Sequence, residues 1–192
     1  MRGLFHLYCC MFLFAAQLSA QAYLNNGFFE GTPQDATVPS GWHICAPGST
    51  PDILPGPWGV FLEASEGDTY IGMITREDGS YESIGQRLSR PLESGQCYEL
   101  SVDLAHSPLY AGYRSSLKLR IWGGTTRCEQ TMLLFESPEI SHEDWKTYTI
   151  KFTVDTPLNY ILLEAWNPAG NKVLMGNILI DNLRGIRLCR RA

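Results

Sequence analysis

Apolar and polar residues alternate with a period of two in segment after segment of this chain. In "CYELSVDLA", Tyr98, Leu100, Val102 and Leu104 fall on one side, and Glu99, Ser101 and Asp103 on the other. "SLKLRIW" sets Leu117, Leu119 and Ile121 against Lys118, Arg120 and Trp122. "KTYTIKFTV" places Tyr148, Ile150, Phe152 and Val154 together, and "ILLEAW" opposes Ile161, Leu163 and Ala165 to Leu162, Glu164 and Trp166. Successive side chains of a strand point to opposite faces, so each segment reads as a half-buried antiparallel strand. Turn-forming clusters separate them: "GSTPDILPGP", "EGD", "EDGS", "ESGQ", "GGTT" and "NPAGN". No stretch sustains a helical stripe. Many short strands with Gly- and Pro-rich turns predict an all-β, two-sheet antiparallel sandwich of the jelly-roll kind.

The chain's start reads as an export signal. Arg2 precedes an apolar run from Leu7 to Ala16, and small residues follow, with cleavage expected after Ala20 or Ala22. That run is too short to span a membrane, and nothing later would serve as a span. The organisation expected is a leader over 1–22 and a single domain over 23–192, without linker or repeat. Of six cysteines, Cys9 and Cys10 lie in the leader; Cys45, Cys97, Cys128 and Cys189 remain, an even number that favours disulfides in an exported chain. With no C-x-x-C and histidines in unrelated contexts, a structural zinc site is not expected. The net charge is −5, and only the terminal "CRRA" is basic, which argues against a nucleic-acid partner. Nothing in the sequence fixes an oligomeric state.

Three groups of residues carry chemistry. "TREDGSYESIGQ" places Arg76, Asp78 and Tyr81 around Gly79, with Asp78-Gly79 a strong hairpin turn pair. Acidic residues do not alternate before the glycine as an EF-hand loop requires. Glu77, Asp78 and Glu82 are expected beside an exposed turn, which offers no apolar pocket to raise a catalytic pKa. There is no G-x-S-x-G and no H-E-x-x-H. The second group is the polar face of the strands, with Glu99, Ser101, Asp103, Lys118, Arg120, Trp122, Glu164 and Trp166. If these strands share a sheet, indoles that stack on sugar rings stand beside charges that pair with hydroxyls. The third is Glu30 after "NNGFF" with Asp181 in "ILIDNL", two carboxylates able to share a hard cation if the first and last strands meet.

"YLNNGFFEG", "VPSGW", "YESIGQRLSRPLESGQCYELSVDL", "DWKTYTIKFTV" and "NILIDNLRGI" together resemble the galactose-binding-like jelly roll of carbohydrate-binding modules, over nearly the whole chain after the leader. The nearest pattern is that of exported proteins of gliding-type Gram-negative bacteria. The resemblance implies a secreted, periplasmic or cell-surface domain without catalysis, binding a glycan or another cell-envelope polymer. An adhesion domain with a protein partner is the alternative. It implies a structural calcium on Glu30 and Asp181, and a ligand either on a sheet face (Arg120, Trp122, Glu164, Trp166, with Asp103) or at edge loops that include Arg76, Asp78 and Tyr81. The same jelly roll is expected to pair the strand opened by Cys97 with the run closed by Cys189, giving a Cys97–Cys189 bridge. Cys45 and Cys128 then remain to join two loops.

Overall fold

The computed structural model describes residues 21–169 and 174–190, so the expected leader lies outside it apart from Gln21 and Ala22. The strands are β1 (His43–Ile44), β2 (Asp52–Leu54), β3 (Tyr70–Thr75), β4 (Ser83–Leu92), β5 (Cys97–Ala105) and β6 (Ser115–Ser116). β7 (Lys118–Gly124), β8 (Met132–Glu136), β9 (Lys146–Thr153), β10 (Leu158–Trp166), β11 (Gly176–Asp181) and β12 (Arg187–Leu188) follow. They form two sheets. One runs β1-β4-β10-β7-β8; the other runs β12-β5-β11-β3-β2, with β6 added to β11 and β9 to β5.

The alternation decides what lies between the sheets. Ile84, Leu119, Ile121, Ile161, Leu163 and Ala165 point inward from the first sheet, and Tyr98, Leu100, Val102, Leu104, Ile150 and Phe152 from the second, in one continuous core. Burying each such large apolar side chain contributes about 1.5–3 kcal/mol. β3 and β11 are buried at every residue. They are central strands whose second face is also covered, by a cluster of Leu54, Val60, Tyr70, Tyr110 and Leu179 with Trp145 packed against it. Much of the outside of the seven-stranded sheet is thereby closed. The outside of the five-stranded sheet keeps its polar side chains.

The stretch Thr75–Gln86 is a hairpin only at its tip. Thr75 bridges Tyr81, and the Arg76 amide donates to the Ser80 carbonyl at 2.9 Å, with Gly79 supplying the positive φ of 81° that the turn needs. Beyond the tip, β3 enters one sheet and β4 the other. The two runs flanking "REDG" are therefore not partners, and the segment is a corner that joins the layers.

Two disulfides cross the molecule. Cys97, at the start of β5, bonds Cys189 just past β12, with a Cα–Cα distance of 5.4 Å; β12 lies antiparallel to β5. Cys45, just past β1, bonds Cys128 in the β7–β8 turn at 5.1 Å. The ends of the described chain meet as well, because Ala22 and Ile186 exchange backbone hydrogen bonds. No helix among the described residues is long and apolar enough to cross a membrane.

Candidate functional site

Register places the expected face residues side by side. On the outside of the five-stranded sheet, Glu164 of β10 stands between Ser83 of β4 and Arg120 of β7, and Arg120 faces Glu136 of β8. One step along, Leu162 stands beside Gly85 and Trp122. Trp166 lies opposite Lys118. The residues that alternation put on the polar side of two separate strands thus form one surface, because β7 and β10 are neighbours.

The side chains are tied together. The Trp122 indole N–H donates to Glu164 Oε2 at 2.5 Å, and Gln130 Nε2 reaches the same oxygen at 3.3 Å. The Arg120 guanidinium lies 3.4 Å from the centre of the Trp166 ring, a stacked cation–π contact, and pairs with Glu136 at 2.7 Å. Lys118 reaches the other oxygen of Glu136 at 2.8 Å. Glu164 is only 3% exposed. Burial pushes its carboxyl above the usual range, partly offset by the Trp122 hydrogen bond and the charge of Arg120. This arrangement offers half-buried indoles and fixed cationic donors on one wall, with the buried Glu164 carboxylate orienting Trp122 from beneath.

The Cys45–Cys128 bridge passes over this face rather than along its edge. A Cβ on Gly85 would come within 2.9 Å of Cys45 Sγ and 3.2 Å of His43 Nε2, so the absent side chain makes room for the strap. On one side of it lies a hollow of about 260 Å³ lined by Tyr81, Ser83, Gln130, Leu162 and Pro47. On the other lies a hollow of about 360 Å³ lined by Asn25, His43, Arg87, Arg127 and Tyr160. His43, Cys45 and Cys128 offer ligand atoms within 4.8 Å of one another, but the two sulfurs are bonded to each other. Gln130, His43 and Arg127 were not legible as site residues. They come from a β-edge and a turn, where no periodicity assigns a face, and only the disulfide brings them together.

The remaining candidates fall elsewhere. Asp103 belongs to β5 of the seven-stranded sheet; its Oδ2 accepts from Ser65 Oγ at 2.6 Å and Asn182 Nδ2 at 2.8 Å. Alternation fixed its face but not its sheet, and it is not part of the Trp122 surface. Arg76 pairs with Glu82 at 2.5 Å. Glu82 is fully buried, not beside an exposed turn, and its other oxygen accepts the Ile74 amide at 3.0 Å. Burial raises the Glu82 carboxyl although Thr50, Arg76 and Ile74 oppose this. Arg76 is thus a structural counter-ion. Asp78 is an exposed turn residue capping Ser80 N at 2.9 Å. Of the three corner residues, Tyr81 lines the hollow beside the strap.

Glu30 and Asp181 close on the same loop. Asp181 Oδ2 accepts the Ser65 and Glu66 amides at 2.8 and 3.0 Å, and Glu30 Oε1 accepts the Asp68 amide at 3.1 Å, with Gly67 between. Asp181 is fully buried, and burial plus the neighbouring Asp103 push its pKa up to about 6 against the pull of the loop amides. Asp103 Oδ1 is buried without a hydrogen-bond partner.

No family model matches the sequence, and no curated protein is significantly similar to it. The fold does match solved structures. A cyclase from Fischerella sp. TAU, in complex with 4-(1H-indol-3-yl)butan-2-one, aligns with TM-score 0.57 and 16% identity, over 90% of this chain and 100% of its own. The CBM22-1 xylan-binding domain of a Paenibacillus barcinonensis protein aligns with TM-score 0.55 and 16% identity, over 93% of this chain and 100% of its own. The K3 cleaved adhesin domain of Lys-gingipain from Porphyromonas gingivalis w83 aligns with TM-score 0.52 and 13% identity, over 88% and 96%. The expectation of a chain without enzymatic activity is corrected by the first of these. A cyclase occupies the same sandwich over its whole length, so this architecture does not separate binding from catalysis. What the comparisons establish is the fold: a β-sandwich of the kind found in carbohydrate-binding modules and adhesin domains.

Proposed function

We propose that the outer face of the five-stranded sheet binds a glycan of an exported or cell-surface polymer. The observation that carries this is the convergence of Tyr81, Trp122, Arg120 and Trp166 on one outer surface, over a buried Glu164 that ties Trp122 in place. Trp122 presents a half-buried ring for stacking while Glu164 fixes its orientation, and Gln130 and Arg120 supply directed donors. Two disulfides fit an oxidising compartment, which supports export. A screen of immobilised polysaccharides with the wild type identifies the polymer. Trp122→Ala should then weaken retention by about 1–3 kcal/mol, by analogy with base–aromatic stacking. Full retention by Trp122→Ala and Trp166→Ala alike would remove this face as the site.

A protein-adhesion reading draws on a different place. Phe61 and Leu109 are 73% and 67% exposed and line a hollow of about 270 Å³ with His106 and Pro108. Large exposed apolar side chains grouped in this way suit a protein contact. Binding to cell-surface protein that survives deglycosylation and Trp122→Ala but is lost in Leu109→Asp would favour that reading.

A structural calcium belongs to the same proposal. Its support is the closure of Glu30 and Asp181 on one loop and the raised pKa of Asp181, which a cation would relieve. Calcium should raise the melting temperature of the wild type by preferential binding to the folded state, and Asp181→Ala should remove that response.

A further inference from the structure

The hollow on the far side of the Cys45–Cys128 strap differs in charge from the Trp122 side. Arg87 enters it from β4, where it is paired in register with Tyr160 of β10. Arg127 enters it from the turn before Cys128. His43 lies between, with its ring edge-on to Tyr160 at 6.4 Å between centroids. Among the described residues, no carboxylate lines this hollow. The nearby Glu129 is turned back onto its own turn, where it accepts the Thr126 amide at 3.0 Å.

Other cations on and beside this face are paired with carboxylates. Lys118 and Arg120 share Glu136, and Arg76 has Glu82. Among the described residues Arg87 and Arg127 have neither an ion pair nor a side-chain hydrogen bond. In a chain of net charge −5, two unpaired guanidinium groups around one hollow make a local positive field of opposite sign to the whole. His43 Nε2 is buried against Gly85 without a hydrogen-bond partner.

From this geometry we infer that the Arg87–Arg127 hollow is an oxyanion subsite, taking the carboxylate or sulfate group of an acidic sugar. The inference rests on the glycan-binding reading of the adjoining face and names its substrate class. A guanidinium presents a planar fork of N–H donors that matches an oxyanion in two-point contact, and two forks around one hollow hold such a group from two sides. Tyr160 supplies a ring and a hydroxyl at the same place. The strap makes this a separate compartment: Tyr81, Gln130 and Leu162 line the hollow on its other side. A ligand that used both compartments would place its acidic residue under Arg87 and Arg127 and its neutral sugars against Trp122.

Calorimetric titration of the disulfide-bonded protein at low ionic strength tests this, with glucuronate and a sulfated disaccharide as acidic probes and xylose as the neutral one. At least one acidic probe should bind, xylose should not compete, and Arg87→Gln and Arg127→Gln should each weaken the acidic probe about tenfold or more. Arg127→Lys, which keeps the charge but loses the fork, should recover only part of the affinity. Preference for glucuronate or for the sulfated sugar distinguishes the two sources of the oxyanion. Equal binding of acidic and neutral probes, or undiminished acidic binding in the Arg87→Gln/Arg127→Gln double variant, would overturn the subsite. Trp122→Ala separates the two readings. Loss of polymer retention with glucuronate binding intact supports both. Loss of polymer retention in neither Trp122→Ala nor Trp166→Ala removes the sheet-face reading, while the arginine-dependent titration still decides the subsite.

Discussion

Gly85 shows how one absent side chain shapes the site. Its missing Cβ lets the Cys45–Cys128 strap and His43 lie directly on the sheet. Gly85→Ala should therefore destabilise the fold by about 1–3 kcal/mol through overpacking, read as a lower urea midpoint. In a Cys45→Ser/Cys128→Ser background that penalty should shrink, since the strap can then move away. Arg76 carries a second residue-scale prediction. Removing it leaves Glu82 as an uncompensated buried charge, so Arg76→Ala should cost about 3–5 kcal/mol and leave glycan retention unchanged. The sequence made Arg76 and Tyr81 equal candidates. Only the fold separates them, since whether a charged residue at a turn meets solvent or a buried partner depends on which layers the turn joins.

At the scale of elements, alternation was the informative signal. Period two assigned the faces of β5, β7, β9 and β10 from sequence, and with them Arg120, Trp122, Glu164 and Trp166. Alternation does not say which strands are neighbours, so it cannot separate Asp103 from polar-face residues of the other sheet. Nor did it flag Glu164 and Leu162 as buried, because the loops over β10 come from Tyr81 and from the strap, far away in sequence. The Cys97–Cys189 bridge belongs to this scale: it holds β12, a strand of two residues, against β5. Replacing both cysteines by serine should cost about 2–5 kcal/mol in denaturant unfolding. Hydrogen exchange should rise first at Arg187 and Leu188, with β7 and β10 still protected.

Buried acids dominate the pH dependence of the whole molecule, opposed in part by His43 and His106, whose pKa values burial lowers. Asp52, 2% exposed and bonded to the Tyr110 hydroxyl, has its pKa pushed up to about 7 by burial, and Asp181 has its own pushed up to about 6. A raised folded-state pKa means the folded protein binds the proton more tightly than the unfolded chain. Stability is then fully present below the unfolded value near 3.8 and is lost as pH rises to about 7. Asp103 runs the other way. Hydrogen bonds from Ser65, Thr147 and Asn182 overcome its burial and lower its pKa, so its contribution is lost at strongly acid pH. With chelator present, the melting temperature should thus be higher at pH 5 than at pH 8, and calcium should narrow the difference by favouring charged Asp181. A flat profile would mean that Asp52 and Asp181 are charged at no cost. For the central claim, that glycan binds on the outer face of the five-stranded sheet, the five tryptophans are built-in reporters. Trp122 and Trp166 lie on that face, while the Trp42, Trp58 and Trp145 indoles donate to Asn26, Asp35 and Glu63 elsewhere. A proton–nitrogen correlation spectrum of the protein titrated with the polysaccharide it retains should move the Trp122 and Trp166 indole signals and leave the other three in place. Shifts confined to Trp58 and Trp145, with Trp122 and Trp166 unmoved, would contradict the account.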